Sequence, residues 1–212
     1  MHCCNYLAHT LWYLGYPDEA LRQSQVALTL AQESAHAHSQ VFALVHATFL
    51  HHLRREGQAA RRRAEEGVAL ATEQGFVLWV AYATILRGRG LVELGQREEA
   101  IAQIREGLAG YRATGAALEC PSFVALRAEV LAQRGQIEEE LTVLAEMLSE
   151  VDTHRRRFQE AELRRLTVEL LRSRAHPTEE VEACFRQALE LTRQQQAKSL
   201  ALRAAISLAR LW

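Results

Sequence analysis

Nine histidines and four cysteines are the residues of this chain best suited to bind a metal ion or act as nucleophiles. Their spacing favours neither. His36 and His38 stand two apart and His51 and His52 are adjacent, whereas neighbours on one helix face are three or four apart. The H-E-x-x-H arrangement, which sets two zinc ligands one turn apart, does not occur. His2-Cys3-Cys4 is the densest group of soft ligands, and ordinary packing accounts for the remaining histidines better than a site. Cys120 precedes Pro121 at an expected helix start, where a thiol pKa can fall, but no base is placed beside it. No C-x-x-C pair is present. The expectation is no metal and no cofactor.

Phosphate chemistry has no better footing. The sequence contains neither G-x-x-x-x-G-K-[ST] nor G-x-G-x-x-G, and no G-x-S-x-G elbow. Gly88-Arg89-Gly90 falls inside an amphipathic helical pattern and follows no strand, so close helix packing explains it. The basic runs Arg61-Arg62-Arg63, and Arg155-Arg156-Arg157 with Arg164-Arg165, have Glu65-Glu66 and Glu160 with Glu162 within a turn, where they form i,i+3 and i,i+4 pairs, as on solvated helix faces. With 25 basic against 26 acidic residues, the chain lacks the field that draws a protein to nucleic acid or an anionic membrane. Its carboxylates fall on polar faces or at helix starts, so it is not expected to be an enzyme.

The elements that would position any site are helices. Ala, Leu, Glu and Arg make up just over half of the 212 residues, against 3 Pro and 11 Gly. The β-branched and aromatic runs that a sheet needs are few. The fold class is therefore all-α. The longest largely apolar stretch, Phe76 to Leu86, is 11 residues, about half of what a membrane span requires. With no secretory leader pattern at its start, the chain is expected to be cytoplasmic.

The chain also aligns on itself at a shift of 40. Ala20, Ala60 and Ala100 coincide, as do Ala27, Gly67 and Gly107, then Ala35, Gly75 and Gly115. Turns fall at Gly15-Tyr16-Pro17-Asp18-Glu19, Gly95-Gln96-Arg97-Glu98-Glu99 and Gly135-Gln136-Ile137-Glu138-Glu139. In the second unit the turn reads as drifting by two residues, to Gly57-Gln58, and in the fifth it is one residue longer. Each unit reads as two helices. First helices are expected near 3–14, 37–54, 77–94, 121–134 and 158–173, and second helices near 18–34, 59–74, 97–114, 137–152 and 178–195. Lys198 to Trp212 reads as the first helix of a sixth unit. The units are then about 1–36, 37–76, 77–116, 117–157 and 158–197, with a partial sixth at 198–212. The recurring Ala and Gly positions allow helices to approach closely, and stacked pairs of this kind form a solenoid.

Leu14-Gly15-Tyr16-Pro17-Asp18-Glu19-Ala20-Leu21 with Ala27-Leu28, and Leu94-Gly95-Gln96-Arg97-Glu98-Glu99-Ala100-Ile101 with Gly107-Leu108, resemble the tetratricopeptide repeat. Two features depart from that family: the unit is 40 residues rather than about 34, and no proline follows the second helix. Glu140 also stands where the small residue belongs. Ala71-Thr72-Glu73-Gln74-Gly75-Phe76 and Tyr111-Arg112-Ala113-Thr114-Gly115-Ala116 are similar to second-helix ends in the long-unit repeats of large bacterial signalling proteins. There the repeat region follows a nucleotide-binding ATPase module, with a cyclase or DNA-binding domain elsewhere.

The resemblance implies a right-handed α-solenoid of about five helix pairs plus one C-terminal helix, and a fragment of a longer chain. It also implies that the first helix of each unit lines a concave groove. The 40-residue shift then selects His9, Trp12 and Tyr13 as groove residues in the first unit, and Phe49 and His52 in the second. Tyr82, Ile85 and Arg89 follow in the third, Glu129 and Gln133 in the fourth, and Arg165, Glu169 and Arg172 in the fifth. The function implied is a regulatory module that receives a protein or peptide, other domains of its own parent included. A stand-alone adaptor is the alternative, and a metal- or nucleic-acid-binding repeat is a weaker one.

Overall fold

A computed structural model describes residues 1–92, 95–131, 137–153, 157–172 and 178–210. Among these residues the chain is all-helical. The first-helix series is α1 (His2–Tyr13), α3 (Ala37–Leu53), α5 (Val77–Leu91), α7 (Cys120–Leu131), α9 (Glu160–Arg172) and α11 (Lys198–Ala209). The second-helix series is α2 (Pro17–Glu33), α4 (Gly57–Glu73), α6 (Arg97–Ala113), α8 (Ile137–Thr153) and α10 (Thr178–Gln194). A short 3-10 turn, Arg157–Gln159, leads into α9. Helices α2 to α6 pack consecutively, as do α7 to α11, and among the first helices α3 packs on α5, α7 on α9 and α9 on α11. No described helix is long and apolar enough to cross a membrane.

The register is regular. Every second helix has 17 residues, and they begin at 17, 57, 97, 137 and 178. The steps are therefore 40 residues until the last, where the longer turn adds one. The second unit does not drift. Arg55, with φ 64°, takes the left-handed place held by Gly15 (φ 90°) and Gly95 (φ 75°), and Gly57 is simply the first residue of α4. Second helices close the same way, at Ala35 (φ 50°), Gly75 (φ 68°), Gly115 (φ 81°) and Gln196 (φ 56°). The amides after Gly15, Arg55, Gly75, Gly95 and Gln196 reach back five positions, as in Phe76 N–H to Ala71 O at 2.9 Å and Glu56 N–H to His51 O at 2.9 Å. These bonds satisfy carbonyls that the helix end would otherwise orphan.

The two series bury differently. Second helices hide one stripe, such as Ala60, Ala64, Gly67 and Ala71 of α4, and leave charged residues in water. α3 carries no Asp, Glu, Lys or Arg, and most of its surface is buried, from Val41 through Leu50. A helix that is apolar all round belongs inside.

Small residues set the closest approach. A Cβ on Gly107 of α6 would lie 2.6 Å from Ile85 Cγ1 and 2.8 Å from the Ala81 carbonyl oxygen of α5. One on Gly88 would lie 2.9 Å from the Ala100 carbonyl oxygen. Glu140, at the position of Ala20, Ala60 and Ala100, is as fully buried as they are. Arg127 Nε–H of α7 donates to its Oε2 at 3.2 Å, and Arg127 Nη2 lies 2.8 Å from its Oε1 as an ion pair. A buried ion pair thus fills the α7–α8 contact where the first three pairs use a methyl group.

By contact density the chain divides into two compact units. Residues 1–12 and 16–118 form the first, and residues 13–15 and 119–212 the second.

Candidate functional site

In the first unit, aromatic rings and histidines recur at one helical spacing on three first helices. α1 contributes His2, Tyr6 and His9; α3 contributes His38, Phe42, His46 and Phe49; α5 contributes Trp79 and Tyr82. Steps of three and four put each set on a single face. His2 stacks on Phe42 with centroids 4.1 Å apart, and Phe42 stacks on His46 at 4.2 Å. Trp79 meets Phe42 edge-on at 5.2 Å and stacks with Tyr82 at 5.9 Å. Tyr6 meets His46 edge-on at 5.4 Å, and half of its surface is open to solvent.

Hydrogen bonds fix these rings. His9 Nε2–H donates to the His46 carbonyl oxygen at 3.0 Å, and Trp79 Nε1–H donates to His38 Nε2 at 3.0 Å. His52 Nε2–H donates to the Leu86 carbonyl oxygen at 2.8 Å, joining α3 to α5. Burial disfavours the charged form of His9, His46 and His52. It pulls His52 down to about 3, with Arg89 adding repulsion, and it pulls His46 well below the usual histidine range, with His9 and His2 adding theirs. His9 is lowered by burial too, partly offset by its bond to the His46 carbonyl. His46 Nδ1 is buried without a hydrogen-bond partner among the described residues. The face of rings is open at Tyr6 and His2.

In the second unit the expected groove residues meet as an ion network. Arg165 is buried and grips Glu162 with two bonds, Nε at 3.0 Å and Nη2 at 2.9 Å. Its guanidinium also lies 3.6 Å from Glu129, 3.4 Å from Glu169 and 3.2 Å from Ser207 Oγ. Arg203 of α11 adds a bond to Glu162 at 3.0 Å, and Arg172 reaches Glu169 at 3.5 Å. Burial alone would raise the Glu162 carboxyl, but Arg165 and Arg203 hold it well below the usual carboxylate range. These charges are spent on one another, tying α7, α9 and α11.

The structure brings Glu129, Arg165, Glu169 and Arg172 together, and His9 with Phe49. Trp12, Phe49, His52, Tyr82, Ile85 and Arg89 are all buried. Ile85 lies against the Gly107 backbone rather than along an open face. Tyr13 falls in the second unit, where its hydroxyl accepts from Gln159 Nε2 at 2.5 Å, and burial with Glu119 nearby raises its pKa. Gln133 lies outside the described residues. Sequence reasoning missed His2, Tyr6, His38, Phe42, His46 and Trp79. The signal was there: the 40-residue shift aligns His2 with Phe42 and Tyr82, and Tyr6 with His46. The expected short-range pairing of Glu160 and Glu162 with Arg164 and Arg165 is present, but Glu162 and Arg165 are buried rather than solvated, and Arg203, which completes the network, was missed.

Cys120 is buried, and no group of three or more His, Cys, Asp or Glu among the described residues is placed to hold a metal ion. No protein-family model matches the chain, and no curated protein matches it in sequence.

Proposed function

We propose that the chain is a non-catalytic interaction scaffold of tetratricopeptide type, a right-handed solenoid of about five helix pairs plus one helix. Its place is the cytoplasmic sensing or regulatory region of a bacterial multidomain signalling ATPase, and its partner is a protein or peptide. The observation that carries this reading is the register: five second helices of equal length at steps of 40 or 41 residues, each following a first helix. Such repetition builds a surface from equivalent faces rather than a single pocket.

The receiving surface is the aromatic and histidine face of α1, α3 and α5. Its rings suit an apolar or aromatic anchor, and imidazoles near the anchor can exchange hydrogen bonds with a peptide backbone. Tyr6, 49% exposed, and His2 are the exposed members of this face. Capture experiments with Tyr6→Asp and His2→Asp test the assignment, because exposed positions tolerate the change without unfolding. Wild-type chain retains a stoichiometric protein from a bacterial extract, and both variants lose it at unchanged helicity. Retention by both variants overturns the assignment.

A further inference from the structure

One carboxyl group of the second unit stands apart from the ion network there. Glu119 immediately precedes α7 and is half-buried. Its Oε2 accepts a hydrogen bond from Ser122 Oγ–H at 3.0 Å, and no Arg, Lys or His among the described residues forms an ion pair with it. A helix start favours a negative charge, yet burial raises this carboxyl above its ordinary value, with the Ser122 bond offsetting only part. Arg203, which together with Glu119 acts on the Tyr13 phenol, is committed elsewhere, 3.0 Å from Glu162 and 3.9 Å from Glu129.

Other elements of the same unit bring polar groups to this carboxyl. Tyr13 ends α1, and its phenol is raised by burial and by the charge of Glu119. Gln159, in the turn before α9, donates its amide N–H to the Tyr13 oxygen at 2.5 Å, which leaves the Gln159 side-chain carbonyl as an acceptor. Gln159 and Ser122 are covered, whereas Glu119 and Tyr13 keep contact with solvent. A carboxylate placed in this way has lost part of its hydration and gained no counter-ion, and charge in that condition is costly until a cation arrives.

We propose that Glu119, Tyr13 and Gln159 form a receptor for a primary ammonium group, carried by a lysine side chain or by a free alkylamine. Acceptors on separate elements suit a tetrahedral head with three donors. The planar fork of an arginine pairs best with both oxygens of one carboxylate, and Ser122 already occupies Oε2 of Glu119. The ammonium supplies the positive charge that the cluster lacks, so its binding favours the ionised carboxyl. This site lies in the second unit and stands whether or not the aromatic and histidine face of the first binds a peptide.

The test uses the full 212-residue chain with Nα-acetyl-lysine N-methylamide and n-pentylamine as probes. The titration of the Glu119 carboxyl, followed by NMR in the wild-type chain, is expected to move to lower pH when either probe is added to saturation. Calorimetry is expected to show saturable binding that Glu119→Gln, a change of nearly equal size, weakens by about tenfold or more at unchanged helicity. Glu106→Gln, at an exposed site on α6, leaves it unchanged. Equal affinity for the two probes shows that the site reads the ammonium alone, and tighter binding of the lysine derivative assigns it to a lysine side chain; either result upholds the receptor. An unmoved Glu119 titration, undiminished binding by Glu119→Gln, or tighter binding of Nα-acetyl-arginine N-methylamide overturns the proposal.

Discussion

His52 Nε2–H donates to the Leu86 carbonyl oxygen at 2.8 Å, and His9 Nε2–H donates to the His46 carbonyl oxygen at 3.0 Å. Both bonds carry a side chain from one first helix to the backbone of the next. They recur at sequence separations of 34 and 37, so the first helices are stitched by neutral imidazoles as well as by packing.

Acid should undo that stitching. The folded chain holds His9, His46 and His52 below the ordinary value of 6.5, so the unfolded chain takes up protons first as pH falls. Stability is complete above about pH 6.5 and declines as pH drops towards the folded values, which for His52 means about 3. Each buried imidazole adds a slope of about 1.4 kcal/mol per pH unit within its window. Urea midpoints at pH 7.5 and 5.5 are expected to differ clearly in the wild type. A His46→Phe variant should show a shallower dependence, since it removes one of the groups.

The Arg127–Glu140 pair gives a second expectation. Glu140→Ala restores the residue type of Ala20, Ala60 and Ala100 but leaves the largely buried Arg127 without its partner. Breaking such a pair costs about 3–5 kcal/mol, whereas replacing both members by apolar groups is often neutral or better. Chemical denaturation should therefore show a large loss for Glu140→Ala and recovery for Arg127→Leu/Glu140→Ala.

Two glycines at equivalent repeat positions should respond with opposite signs. A methyl group on Gly67 meets Val45 at an ordinary 3.6 Å, so Gly67→Ala gains helix propensity, up to about 1 kcal/mol. The same change at Gly107 drives into Ile85 and the Ala81 backbone, and overpacking there costs about 1–3 kcal/mol. Thermal midpoints of the two variants, measured side by side, should move apart.

Ala35 pays for its left-handed conformation, φ 50°, at a place where Gly75 and Gly115 do not. Ala35→Gly relieves roughly 1 kcal/mol of steric cost and should raise the denaturation midpoint. Gly75→Ala should lower it by a similar amount.

The helix pairs were legible because turn glycines and small contact residues recur at a fixed step. Reading stumbled where a non-glycine does the glycine's work. Arg55 is left-handed at the place of Gly15, and a search for the nearest glycine lands two residues late, on Gly57. The groove residues were harder. The family pattern selects Trp12, Phe49, Tyr82 and Arg89 by helix face, yet burial depends on how closely neighbouring helices approach, which Gly88 and Gly107 decide. One clue was available: α3 carries no Asp, Glu, Lys or Arg, whereas α4 has six charged residues. The ion network around Arg165 escaped because Glu162 and Arg203 lie 41 residues apart, on helices that only the fold brings together.

The central claim is that the aromatic and histidine face receives a protein. Photo-cross-linking tests it most directly, with the cross-linking residue placed once at Tyr6 and once at Glu33, an exposed site on α2. One discrete protein adduct from Tyr6 and none from Glu33 is the expected result. No adduct from Tyr6, or the same adducts from both sites, would contradict the account.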